Sequence, residues 1–264
     1  MSIRSTFARL ADRREMALIP YITGGFPTLP ESVRLIECLA DNGADLIEVG
    51  IPFSDPIADG PSIQYSSEIA LGGGASLAGV LDGLGSLDLR CPVVLMSYLN
   101  PFLAYGMARL LGDCRRIGTT GLIIPDLPAE EADDWFGACR ASGIDLIHLV
   151  APTSTDARIE RIVERSSGFV YCVSLAGTTG VRAELSVGLD ELLPRTRRFT
   201  PLPIVVGFGI STPEHVRALY GRADGVVVGS RIIEAIREQD DLPRLIRELK
   251  AATLENTDVD CHAQ

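Results

Sequence analysis

Short apolar runs rich in β-branched residues recur along the chain. Between them lie stretches in which apolar positions return every third or fourth residue. The first pattern suits a buried strand and the second an amphipathic helix. Strands are predicted at 18–23, 45–49, 93–97, 121–124, 145–150, 169–173, 204–206 and 225–228, eight in all. Helices are predicted at 32–40, 107–117, 129–141, 156–164, 213–220 and 231–237, among others. Strict strand–helix alternation implies a parallel sheet. Gly43, Gly118, Gly143 and Gly221 each fall where a helix must stop before the next strand, which suits the left-handed residue of a helix end. Short turns on one side and longer Gly/Pro-rich loops on the other predict an α/β fold, a single (β/α)8 TIM barrel. An extra N-terminal helix over 4–13 would cover its bottom. The expected organisation is one domain across 1–264, with 253–264 as a flexible tail.

A length of 264 residues and a hydrophobic content of 46% fit one such barrel. The formal charge of −11 argues against nucleic acid or an anionic membrane surface as partner. No apolar run reaches the ~18–20 residues of a membrane span, and the first ten residues lack a signal-peptide core. The six cysteines are scattered, as core thiols in a reducing compartment would be, so a cytoplasmic location is expected.

Two scarcities narrow the chemistry. Lys250 is the sole lysine and lies in an amphipathic stretch near the C-terminus, a poor place for a Schiff base. The three histidines, His148, His215 and His262, are far apart in sequence, whereas catalytic zinc or iron usually takes two or three. Neither a Schiff-base enzyme nor a metal-catalysed reaction is expected.

Residues 48–61 read Glu-Val-Gly-Ile-Pro-Phe-Ser-Asp-Pro-Ile-Ala-Asp-Gly-Pro. Two carboxylates, Glu48 and Asp59, flank a loop stiffened by Pro52, Pro56 and Pro61. Isolated carboxylates are ordinarily solvated or cap helices. Glu48, however, ends an apolar strand; pointing inward, it would be desolvated and become an acid/base usable near neutral pH. Asp59 would stay ionised and stabilise positive charge. At the other strand ends lie glycine-rich loops, 174–180, 207–211 and 229–230. Such loops are either plain turns, with Ser230 a helix cap, or a cradle of backbone N–H groups for a phosphate.

These residues together resemble one family. The 48–61 run, Met-Ser-Tyr-x-Asn-Pro at 96–101, Pro-Asp-Leu-Pro at 125–128, Gly-Phe-Gly-Ile-Ser at 207–211 and Gly-Ser at 229–230 resemble the tryptophan synthase alpha chain, in order over roughly residues 5–250. The resemblance implies a barrel lyase that cleaves indole-3-glycerol phosphate to indole and glyceraldehyde 3-phosphate without a cofactor. It implies an alpha2beta2 heterotetramer with a PLP-dependent beta chain that receives the indole. By position, Glu48 would shuttle protons and Asp59 would hold the indole N–H. Tyr171, Thr179, Gly180, Gly209, Gly229 and Ser230 would bind substrate. Pro52, Phe53, Asp55, Pro56, Asn100, Asp126 and Pro128 would face the beta chain. A lyase releasing free indole alone, and a non-catalytic activating subunit, are the alternatives.

Overall fold

The computed structural model describes residues 1–173, 183–207 and 209–254. Strands β1 (Ala17–Thr23), β2 (Ile47–Gly50), β3 (Val93–Met96), β4 (Thr119–Ile123), β5 (Asp145–Ile147), β6 (Leu149–Val150), β7 (Val170–Val173), β8 (Ile204–Gly207) and β9 (Gly225–Val228) are parallel wherever they pair. Their order is β5-β4-β3-β2-β1-β9-β8-β7-β6. β5 and β6 are two pieces of the predicted fifth strand, separated at His148, so the sheet closes on itself. The barrel is eight-stranded with one strand broken.

Helices α1 (Ile3–Asp12), α2 (Leu29–Asp41), α3 (Pro61–Gly72), α4 (Leu77–Gly85), α5 (Leu99–Tyr105), α6 (Met107–Ile117), α7 (Asp133–Ser142), α8 (Asp156–Glu164), α9 (Ala183–Arg197), α10 (Pro213–Arg217), α11 (Ser230–Glu238) and α12 (Leu242–Ala251) accompany the strands. α6 and α8 match their predicted spans to the residue. The predicted helix at 129–141 divides into a 3-10 turn (Ala129–Glu131) and α7. Gly118 and Gly143 end α6 and α7 in the left-handed conformation, and Gly43 and Gly221 also have positive φ.

Side chains alternate along each strand. One set faces the helices: Leu18, Ile22, Ile47, Val49, Leu95, Leu122, Val206, Val226 and Val228 belong to the outer core. The other set fills the barrel: Ile19, Tyr21, Leu46, Val94, Ile123, Ile147, Phe169, Tyr171, Val205 and Val227. α1 seals the bottom, burying Ile3, Phe7 and Leu10 against that inner set, with the rings of Phe7 and Phe169 6.0 Å apart. Each such side chain contributes ~1.5–3 kcal/mol of burial. Ser2 and Ser5 cap its first turn reciprocally.

The bottom is also tied by charge. Asp45, buried just ahead of β2, accepts hydrogen bonds from Leu18 N (3.0 Å) and Lys250 Nζ (2.8 Å), and Arg9 lies 3.7 Å away. Lys250 reaches Glu15 as well, at 3.2 Å. The sole lysine thus anchors α12 beneath the barrel. Thr253, just beyond α12, is buried, and its carbonyl accepts from Met16 N at 3.0 Å. With the bottom closed, the open end is the one at the C-terminal ends of the strands.

Candidate active site

β2 is buried over its whole length, and alternation turns Leu46 and Glu48 inward while Ile47 and Val49 face the helices. Glu48 therefore points into the barrel, paired in register with Tyr21 on β1 and Val94 on β3. It is 1% exposed, and its Oε2 has no hydrogen-bond partner among the described residues. Burial, and secondarily the nearby charge of Asp59, pushes its pKa up to about 8. Glu48 is therefore mostly protonated at neutral pH, a proton donor before it is an acceptor.

Asp59 lies half-buried on the loop between β2 and α3. Burial raises its pKa, and the Tyr98 hydroxyl, hydrogen-bonding the carboxylate, pulls it back down. The two acids thus sit close enough to influence each other but in different surroundings. That difference is what lets one act as an acid while the other carries charge.

The loop is held from several sides. Gln64 Nε2 donates to Asp59 O at 2.7 Å, and Ala58 N donates to Tyr98 Oη at 2.8 Å. The Phe53 and Tyr98 rings pack against each other, tilted by 37° with centroids 5.4 Å apart. Gly60 is the extended N-cap of α3 with open space about its Cα, so its glycine answers no close contact. Gly50 differs: a methyl there would collide with the Tyr21 hydroxyl. Gly207, at the end of β8, stands in the same relation to Tyr171. Two inward tyrosines, on β1 and β7, thus rest end-on against the backbone of a neighbouring strand. Burial raises the pKa of both, so both stay neutral. From Tyr21 a line of hydroxyls runs through Thr23 (3.3 Å) to Ser66 of α3 (2.6 Å).

The glycine loops follow adjacent strands. Gly209, after β8, has φ +75° and is exposed. Gly229, after β9, is the N-cap of α11 and lies against Ile63 and the Tyr21 ring. Ser230 is the first residue of that helix and is exposed, so its hydroxyl stands at a helix N-terminus, where an anion is favoured. Thr179 and Gly180 lie outside the described residues.

Of the residues expected to face a partner, Asp55, Asn100 and Asp126 are exposed, Phe53, Pro56 and Pro128 are half-buried, and Pro52 is buried. The same end exposes two apolar side chains that the sequence reading did not single out, Ile57 (83% exposed) and Leu103 (52%). It also gave no role to Tyr21, or to Tyr98 beyond its place in the 96–101 motif. Tyr21 was within reach, since it shares the alternation of Ile19 along β1. Lys250 lies at the far end, as described, and His148 is buried beside the break in the fifth strand, its pKa pushed down to about 4 by desolvation. His215 belongs to α10, where Ser211 bonds it at 3.3 Å. None of the three is among the groups acting on Glu48.

A barrel with two interacting carboxyl groups and glycine loops at the same end is compatible with several phosphate-handling lyases and isomerases. The family model for the tryptophan synthase alpha chain matches residues 7–259. The chain is 50% identical over 239 residues to the tryptophan synthase alpha chain of Roseiflexus castenholzii, covering 89% of this chain and 92% of that one. It is 44% identical over 258 residues to that of Methanosarcina mazei, covering 96% and 94%. A chain in a structure of Mycobacterium tuberculosis tryptophan synthase superposes with a TM-score of 0.90 at 36% identity, covering 96% of this chain and 98% of that one. With the match spanning α1 to the end of α12 and including both acids and the loop between them, this chain belongs to the tryptophan synthase alpha chain family.

Proposed function

We propose that the chain cleaves indole-3-glycerol phosphate to indole and glyceraldehyde 3-phosphate, and that Glu48 and Asp59 carry the chemistry. The observation that supports this best is Glu48 itself: buried, protonated near neutrality and within reach of the charge of a second acid on the loop after its strand. Protonated Glu48 gives its proton to C3 of the indole ring, leaving positive charge shared with the ring nitrogen. Asp59, as carboxylate, accepts the ring N–H and stabilises that charge. The Glu48 carboxylate then takes the proton of the adjacent glycerol hydroxyl. The bond between that carbon and C3 breaks, the electron pair returns to the ring, and an aldehyde forms. Glu48 ends the cycle protonated, as it began. The ring serves as the electron sink, which is why the scarcity of lysine costs the reaction nothing.

Tyr171 and Tyr21 would line the ring's slot, while Gly209, Gly229 and Ser230, with Thr179 and Gly180, would hold the phosphate. Pro52, Phe53, Asp55, Pro56, Asn100, Asp126 and Pro128 would face a beta chain that takes up the indole for L-tryptophan synthesis in an alpha2beta2 assembly. The exposed Ile57 and Leu103 at that end fit such a docking face. A cytoplasmic location suits this role; no helix among the described residues is long and apolar enough to cross a membrane.

The purified chain is expected to release indole from indole-3-glycerol phosphate, with inorganic phosphate competing. Because Glu48 must start protonated, kcat/KM should fall as pH rises through about 8. Asp59→Asn removes a negative charge that raises the Glu48 pKa, so it should move that alkaline limb to lower pH. Titrating in a beta chain tests the partner: an unchanged rate and no complex would remove the docking assignment and leave a lone indole-releasing lyase.

A further inference from the structure

The residue following the buried Ser97 after β3 is a tyrosine whose surroundings are more specific than packing requires. Tyr98 is 4% exposed and is the N-cap of α5, yet it makes no capping bond. Its hydroxyl instead turns across to the loop after β2. There it accepts from Ala58 N at 2.8 Å and faces the carboxyl group of the next residue, Asp59. A phenol has one proton to donate and lone pairs to accept with, so both contacts are met by one oxygen. The ring adds a third hold, packing at a tilt against Phe53 near the start of the same loop, centroids 5.4 Å apart. One side chain thus grips both arms of the 51–60 loop. Its own backbone position is fixed from behind, since Leu99 N donates to Asp126 Oδ1 at 2.8 Å.

We propose that Tyr98 is the positioning residue for Asp59, holding the carboxylate charged and aimed at the ring nitrogen of the substrate. This rests on the reading that Asp59 meets that nitrogen. The charge of Asp59 is felt at each neighbouring strand end, by Tyr21 on β1 and Glu48 on β2, while Tyr98 after β3 acts on the Asp59 carboxyl itself. Of these, Tyr98 supplies the hydrogen bond that favours the ionised form; Glu48 is a like charge when ionised. Without the phenolic hydroxyl, Asp59 keeps its burial and loses that donor. The Ala58 N–H loses its acceptor at the same moment, freeing the peptide directly before Asp59. The position therefore controls charge and direction together, without touching the scissile bond.

Tyr98→Phe is the test, because it keeps the ring and its contact with Phe53. Indole release should lose about tenfold or more in kcat, as a misdirected electrostatic partner does. Affinity for 3-indolepropyl phosphate, which has the ring and the phosphate but no glycerol hydroxyls, should stay within about threefold, showing that the barrel and phosphate end are intact. The acidic limb of kcat/KM should move to higher pH, since the carboxylate has lost a donor. Tyr98→Phe should also cost far less in an Asp59→Asn background than alone, because residues acting through one another are not additive. An unmoved acidic limb, full additivity with Asp59→Asn, or loss of the analogue's binding along with activity would each overturn the assignment. If Asp59→Asn by itself keeps wild-type activity, the failure lies instead with the role given to Asp59.

Discussion

Replacing Glu48 with glutamine is expected to lower kcat for indole release by ~10²–10⁴-fold and to make the protein harder to unfold above neutral pH. The first effect follows from the proton inventory: both transfers pass through one carboxyl group, and an amide can perform neither. The second follows from linkage. Burial holds the Glu48 pKa at about 8, above the ordinary 4.5. The folded state therefore keeps a proton that the unfolded chain releases. Stability from this group is complete below pH ~4.5 and is lost as pH rises through about 8. Glutamine has no proton to lose, so the variant should gain over wild type as pH increases, by an amount on the order of a few kcal/mol at ~1.4 kcal/mol per pKa unit. Thermal unfolding at pH 5 and pH 9 measures the difference. A Tm difference that is the same at both pH values would mean that Glu48 is not held neutral, and wild-type turnover would end its assignment as the acid/base.

Asp45→Ala should be the most damaging change away from the site. The carboxylate accepts from Leu18 N and from Lys250 and lies near Arg9, all beneath the barrel. Removing it strands a buried backbone N–H and leaves Lys250 with Glu15 as its remaining ion pair. Breaking a buried pair by deleting one partner typically costs ~3–5 kcal/mol. Because Lys250 keeps that second partner and is 21% exposed, we expect ~3 kcal/mol. For a chain of this size that is a fall of roughly 6–12 °C in Tm. Turnover per folded molecule at 25 °C should be unchanged, since the active end is opposite. A Tm within a degree or two of wild type would show that the cluster contributes little.

Why some of this was legible in the sequence, and some not, has local physical causes. α6 and α8 could be read directly because each is strongly amphipathic and begins or ends with a clear signal, the Gly118 stop and the Thr155 cap. α4 hides behind three glycines, Gly79, Gly83 and Gly85, which ordinarily weaken a helix. Packing accounts for them: a Cβ at Gly83 would collide with Val33 of α2, and one at Gly79 or Gly85 would crowd Leu29 or Ile117. α3 buries Ser66, Ser67 and Ala70 rather than large apolar residues, so it lacks the stripe that marks a core helix. α9 carries Pro194 in its interior. The fifth strand gave no hint that it breaks at His148. At the site, Glu48 and Asp59 stood out because a carboxylate at the end of an apolar run is conspicuous in one dimension. Tyr98 did not, because its importance depends on a loop 40 residues earlier in the chain.

The placement of Lys250 has a practical side. As the only lysine, it carries the sole side-chain amine of the molecule, and in the fold that amine is engaged by Asp45 and Glu15. An amine-directed reagent should therefore leave the folded chain nearly untouched, the α-amino group aside. Modification of one defined peptide would then mark the moment α12 lifts off the barrel floor. The molecule carries a built-in single-site footprint for opening at its closed end, readable by mass without installing any probe.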